Sequence, residues 1–337
     1  MRITTIDKIV SETPIQEIVI ETKKYHLVLI SLGASIKRFL TPDSDGEFEN
    51  ITLSYDHEHD YIMNPKFLGA TVGPYAGRIY PPKLSMNDKT YELERNFMNH
   101  ANLHSGSDSI TNHNFDVTIK DKEVIFTTVQ KEETSQFPSD MTFEVRYCFN
   151  DDGFDVIFNV ESQHMALANL TNHTHFNLSG DAKRTVLEHT LEIPAEHYVA
   201  LDETFMGTSI EKVESTPFDF REEKPLKKAI IPLKETPQKG LDHPFVLHKG
   251  IITLKDYVSG RYLQVKTDYD ALVVYSNNFL TDKLLEPSIN DEAHLAICLE
   301  AQHIPNDVHF LDNPKSIMKP NTKKQNIISY RVGNLPL

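Results

Sequence analysis

Residues 169–180, NLTNHTHFNLSG, place His173 and His175 two apart among amides, threonines and small side chains. Residues two apart on an extended strand share a face, so both imidazoles can line one side of a groove. Histidine is the side chain whose proton moves near neutral pH. A polar strand bearing a titratable pair suits a hydroxyl-rich ligand, although a surface strand with two solvated histidines would be written the same way. Glu300 is the second signal, because it interrupts the apolar start of ICLEAQHIPND, residues 297–307. Glutamate is rarely buried unless it is paired or functional. If Leu299 and Ala301 face a core, Glu300 faces the other side with Cys298 and Gln302. A partly desolvated carboxylate there has a raised pKa and can act as a general base.

Three other segments carry candidate ligand contacts. GATVGPYAGRIY, residues 69–80, has glycines spaced by four and one cation, Arg78. It matches neither G-x-G-x-x-G nor the P-loop. The Arg78 guanidinium suits sugar hydroxyls, a carboxylate or a structural salt bridge. NHANLHSG, residues 99–106, puts His104 in a loop signal before Ser105 and Gly106, where a histidine is by default solvated. GLDHPFVL, residues 240–247, sets Asp242 before an apolar run, either to accept ligand hydroxyls or to cap a turn. The cluster DHEHDY, residues 56–61, reads as a polar loop. His173 and His175 lack the following carboxylate that a cupin-type metal site requires, so no metal is expected. No G-x-S-x-G elbow is present.

The elements that must position these residues are strands. KEVIFTTVQ, MTFEVRYCFN and GFDVIFNVES alternate apolar and polar side chains, as half-buried strands do. Asn150, Asp151, Asp152 and Gly153 join the last two into an expected hairpin. RYLQVKTD and ALVVYSNNFL flank Tyr269 and Asp270 in the same manner, so a second hairpin is expected there. HLAICLEAQ reads as another strand. No segment holds an i, i+3, i+4, i+7 stripe for three turns, and 18 scattered prolines disfavour long helices. KETPQKG before Leu241 is an ordinary loop rather than a linker. The expectation is one all-β domain over residues 1–337, mostly antiparallel, as a sandwich or barrel with few short helices.

Composition narrows the function classes. The 337 residues are 39% hydrophobic and 25% charged, which describes a soluble globular chain. A net charge of −15 argues against nucleic acid and anionic membranes, because both need clustered Lys and Arg. No apolar run is long enough to span a bilayer. The opening MRITTIDKIVSETPIQEI lacks a secretory signal pattern. Cys148 and Cys298 alone make no disulfide framework, which fits a reducing, cytoplasmic setting. Asn50, Asn169, Asn172 and Asn177 match the N-x-[ST] glycosylation pattern, which carries no meaning without secretion.

Taken in order, the motifs resemble the aldose 1-epimerase (galactose mutarotase) family. GATVGPYAGRIY is similar to its G-x-x-x-G-x-x-x-x-R-I segment, and NLHSG to its L-H-G-G loop. NLTNHTHFNLSG is similar to its N-L-T-N-H strand, LDHPFVL to its D-H-x-F segment and CLEAQHIPND to its C-L-E-x-Q-x-x-P-D motif. The resemblance implies a large antiparallel β-sandwich with a site on a concave sheet face. It implies Glu300 as general base, His173 as general acid on the opposite side of the sugar, and His104 near the ring oxygen. Arg78 and Asp242 match contacts to sugar hydroxyls. Ring opening by an acid–base pair needs neither metal nor organic cofactor, and the implied partner is a monosaccharide. The sequence departs from the family pattern at Ser105, for the first glycine of L-H-G-G, and at His175, where an aromatic is usual and a sugar contact is implied. Val273 stands where some members carry a glutamine. With no tryptophan in the chain, Phe115 is the candidate for the family's tryptophan after the histidine loop. The alternatives are a hexose-6-phosphate 1-epimerase and a non-catalytic sugar-binding protein on the same scaffold.

Overall fold

The computed structural model describes residues 1–336. Alternation dictates its main layer. Along the strand Met141–Asn150, the residues Met141, Phe143, Val145, Tyr147 and Phe149 turn inward while their neighbours face out. A two-residue turn returns the chain as Gly153–Ser162, with Asn150 paired to Gly153, so this expected hairpin is present. Both strands lie in a nine-stranded antiparallel sheet that also contains Thr322–Asn334 and Arg261–Thr267. The second layer is a six-stranded sheet ordered His175–Phe176, Ile297–Gln302, Ala271–Tyr275, Asp242–Leu247, Ala195–Leu201 and Gly207–Lys212.

The apolar faces of the two sheets meet. Phe143, Val156, Tyr330 and Leu263 from one, and Phe245, Leu272, Val274 and Leu299 from the other, belong to one core cluster. Burying each such side chain stabilises the fold by roughly 1.5–3 kcal/mol. A five-stranded sheet formed by the first 50 residues adds Ile18, Leu27, Leu29 and Phe39 to the same cluster. The result is an all-β antiparallel sandwich, as expected. Its α-helices among the described residues are single turns, Lys227–Ile230 and Asp307–Phe310.

The second expected hairpin is not formed. Arg261–Thr267 pairs with Ile252–Asp256 and Thr322–Asn334 in the nine-stranded sheet. Ala271–Tyr275 pairs with Asp242–Leu247 and Ile297–Gln302 in the other. Residues 268–270 therefore carry the chain across the core from one layer to the other. Tyr269 is buried at that crossing, with its ring 4.9 Å from that of His303. Alternation identifies a half-buried strand but is the same for either partner sheet.

Candidate active site

The outer face of the six-stranded sheet carries a row of side chains fixed by register. Cys298, Tyr275 and Asp242 lie side by side across three strands, and so do Glu300, Val273 and Pro244. Leu299, Ala301, Leu272 and Val274 take the opposite, core-facing side, so the strand parity read at Glu300 holds. Loops rise around this face to form an open cavity of about 290 Å³. Its walls include Lys66, Phe67, Arg78, His104, His173, His175, Asp242, Glu300 and Gln302. All six sequence-derived candidates thus share one cavity.

Residues 169–180 are not one strand. Thr171–Asn172 pairs with Thr71–Val72, and His175–Phe176 pairs with Ile297–Cys298. The amides of this stretch hold backbone rather than a ligand. Asn172 Nδ2 donates to the Gly69 carbonyl at 2.9 Å, and Asn177 Nδ2 donates to those of Leu295 and Arg184 at 2.6 Å each. Thr171 Oγ1 donates to the Ala301 carbonyl, 2.9 Å away and next to Glu300. Asn50, Asn169, Asn172 and Asn177 are all buried. The histidines are what this scaffold presents to the cavity, with ring centroids 5.0 Å apart.

Glu300 is 2% exposed and His173 5%. Glu300 Oε1 lies 3.5 Å from His173 Nε2, and Oε2 is buried without a hydrogen-bond partner. The two groups stand next to one another rather than on opposite sides of the cavity. Burial, reinforced by Asp242 and opposed by Arg78, pushes the Glu300 carboxyl up to about 8. Burial pulls His173 down to about 4. His104 and His175 are held well below their ordinary value, first by burial and then by His173.

His104 is not a solvated loop residue. Its backbone lies at φ 51°, in the left-handed region, a conformation that costs on the order of 1–3 kcal/mol and persists where neighbours enforce it. Gly77 is the enforcer: the Gly77 amide donates to His104 Nδ1 at 3.2 Å, and the His104 amide donates to the Gly77 carbonyl at 2.9 Å. An accepting Nδ1 leaves the ring proton on Nε2. Ser105, also at positive φ, is tied by its hydroxyl, which accepts from the Tyr75 amide at 2.9 Å and donates to the Tyr75 carbonyl at 3.1 Å. Those bonds stabilise a serine where the family motif has glycine.

Arg78 forms the structural salt bridge that its sequence context allowed, at the wall of the cavity. Nη2 donates to Asp242 Oδ2 at 2.9 Å, while the guanidinium carbon sits 4.4 Å from the Phe97 ring and 5.0 Å from that of Phe205. Its Nε is buried without a partner. Lys66, the second cation lining the cavity, is engaged by Asp291 at 2.6 Å and the Phe279 carbonyl at 2.9 Å. Gln302 has both amide atoms buried and unpartnered. Its parity with Glu300 was readable in sequence, but its place in the cavity was not. Lys66, Phe67 and Tyr275 carried no sequence signal, since they arrive from segments brought together only by folding. Val273 lines the cavity directly opposite Glu300. Phe115 packs in the main core instead and does not take up a place in this cavity. The DHEHDY segment forms a single 3-10 turn, Glu58–Tyr61, away from the cavity.

Among the described residues, His104, His173 and Glu300 form one group whose ligand atoms could hold a cation, and His173, His175 and Cys298 form another. Glu196, His197 and His248 form a third, more exposed one. No helix is long and apolar enough to cross a membrane among the described residues.

A family model described as aldose 1-epimerase matches residues 16–331. A galactose mutarotase of Mus musculus is 28% identical over 301 residues, covering 87% of this chain and 86% of that one. An aldose 1-epimerase of Haemophilus influenzae is 29% identical over 257 residues, covering 73% and 74%. Among solved structures, an aldose epimerase homologue from C. elegans superposes with a TM-score of 0.88 at 26% identity, covering 95% of this chain and 100% of that one. A galactose 1-epimerase from Lactobacillus acidophilus superposes at 0.85 with 24% identity, covering 99% of each.

Proposed function

This chain belongs to the aldose 1-epimerase family, and we propose that it interconverts the α and β anomers of a free aldose by general acid–base ring opening. The observation that carries the reading is the 3.5 Å separation of Glu300 Oε1 and His173 Nε2. The C1 hydroxyl and the ring oxygen of an aldose are bonded to the same carbon. Two groups a few ångströms apart on one wall can therefore reach both oxygens at once.

In this reading Glu300 removes the C1 hydroxyl proton while His173 protonates the ring oxygen, and the C1–ring oxygen bond breaks to give the open aldehyde. Rotation about C1–C2 presents the other carbonyl face. On closure the C5 hydroxyl returns its proton to His173 as it attacks C1, and Glu300 returns its own to the new C1 hydroxyl. The burial-driven shifts favour a carboxylic acid beside a neutral imidazole in the free site. With a sugar bound, passing that one proton from Glu300 to His173, a step uphill in the free site, gives the carboxylate and imidazolium with no exchange with solvent. Arg78, Asp242 and Gln302 offer contacts to the sugar hydroxyls, His104 offers its Nε2 proton, and His175 shapes the wall beside His173.

The test is anomer exchange of fresh α-D-glucose and α-D-galactose, followed by polarimetry or NMR. Glu300→Gln and His173→Asn should each lower the rate by about 10²–10⁴-fold, the usual contribution of one acid–base group, with circular dichroism unchanged. An undiminished rate in Glu300→Gln would refute its role as base. A hexose 6-phosphate substrate is disfavoured because Lys66 and Arg78 are each engaged by an aspartate. Glucose should therefore react faster than glucose 6-phosphate. Sugar binding with no acceleration would instead indicate a binding protein.

A further inference from the structure

His173 uses only Nε2 in the reaction above, and its other ring nitrogen faces a sulfur. His173 Nδ1 lies 3.8 Å from Cys298 Sγ, and the antiparallel ladder sets His175 directly opposite Cys298. All three residues are buried, and their ligand atoms lie within 4.8 Å of one another. His175 Nε2 has no hydrogen-bond partner, although a buried ring nitrogen usually finds one. Zinc bonds thiolate at about 2.3 Å and imidazole at about 2.0–2.1 Å with tetrahedral angles, which requires N···S separations of roughly 3.6 Å. The observed pair is within a few tenths of an ångström of that value.

We propose that His173, His175 and Cys298 form an inhibitory site for a thiophilic divalent cation of the Zn²⁺ type. Binding releases the Cys298 thiol proton to solvent, shifts the neutral His173 ring proton from Nδ1 to Nε2, and forms Sγ–metal and two imidazole–metal bonds, with no redox change. A water molecule or a sugar hydroxyl completes the tetrahedron. With the cation on Nδ1, His173 can no longer become an imidazolium, because both nitrogens cannot carry protons. The proton delivery assigned to Nε2 then stops. The motif spacing missed this group because its third ligand comes from a neighbouring strand, 123 residues beyond His175 by subtraction of their numbers (298 − 175).

The metal-binding claim stands apart from the assignment of His173 as acid, and the inhibition claim rests on it, so two readouts are needed. Titration of the intact protein with Co²⁺ or Cd²⁺ should raise a thiolate-to-metal charge-transfer band that saturates at one ion per chain. Zn²⁺ should lower anomer exchange by about 10²-fold in parallel, the share of one acid–base group, with recovery on adding a chelator. Cys298→Ser should keep basal activity while losing both the band and the zinc sensitivity. His175→Tyr should lose the band as a second, independent variant. The site is refuted if no band forms, or if Cys298→Ser stays as zinc-sensitive as the parent. A band without inhibition would refute the inhibitory role while leaving the ligand set. Absence of any basal anomer exchange would instead count against the proposed function, and the band would still report on the site.

Discussion

At the scale of single residues, the cavity is built from side chains whose ordinary partners are withheld. Glu300 Oε2, both Gln302 amide atoms, Arg78 Nε and His175 Nε2 are buried without hydrogen-bond partners. A buried unsatisfied polar atom costs about 1–3 kcal/mol, and sugar hydroxyls are well suited to recover that cost on binding. Arg78 gives the clearest test. Its guanidinium pairs with Asp242 and packs against Phe97 and Phe205, and an ammonium reproduces the charge but not the planar fork. Arg78→Lys should raise KM by about tenfold, equivalent to ~1.4 kcal/mol, with a smaller change in kcat. Michaelis parameters from NMR exchange would show it, and an unchanged KM would remove Arg78 from the sugar contacts.

At the scale of elements, the segments beside the strands hold the backbone of the His173 wall. Gly69 donates its amide to the His173 carbonyl at 3.1 Å, and its own carbonyl accepts from the Asn172 amide group at 2.9 Å. It sits at φ +65°, and a Cβ there would lie 1.8 Å from the Ile36 carbonyl oxygen. Gly69→Ala should therefore destabilise the protein by more than the roughly 1–3 kcal/mol of left-handed strain alone. Urea denaturation would measure the loss, and a change under 1 kcal/mol would contradict this close packing. Asn177→Ala should cost about 2 kcal/mol or more, because the Leu295 and Arg184 carbonyls lose their donor. The strands Met141–Asn150 and Gly153–Ser162 were legible from alternation and Ile297–Gln302 from its apolar run, in which Glu300 stood out. The partner sheet of Ala271–Tyr275 was not legible, since pairing is a long-range choice that period two leaves open. For the same reason the sequence revealed His173 and Glu300 separately, but not that they stand 3.5 Å apart.

At the scale of the molecule, one apolar cluster takes side chains from all three large sheets, and we read the chain as one domain. A single cooperative thermal transition should follow, with coincident loss of near- and far-UV dichroism; two resolved transitions would overturn that reading. Acid should weaken the whole. His189 is fully buried, its Nε2 accepts from the Leu178 amide at 3.0 Å, and its Nδ1 lies 3.9 Å from Asp256, which Arg184 also engages. Burial lowers its pKa from 6.5 to about 4, with Asp256 opposing and Arg184 adding to the shift. The unfolded chain therefore binds this proton at higher pH than the folded one. The stabilisation is complete above about pH 6.5 and is lost as pH falls toward 4, amounting to about 3 kcal/mol for this group. The loss of urea stability between about pH 7.5 and about pH 5 should shrink in His189→Gln, and an unchanged loss would refute it. The four buried sequon asparagines bear on where such a chain can be made. Secretory cells attach glycans to N-x-[ST] asparagines while the chain is still unfolded, and a glycan needs surface. One glycan on Asn172 or Asn177 would occupy the space of the amide bonds that hold the His173 wall. Routed through a eukaryotic secretory pathway, this protein should fail to fold, and a glycosylation inhibitor should restore its yield.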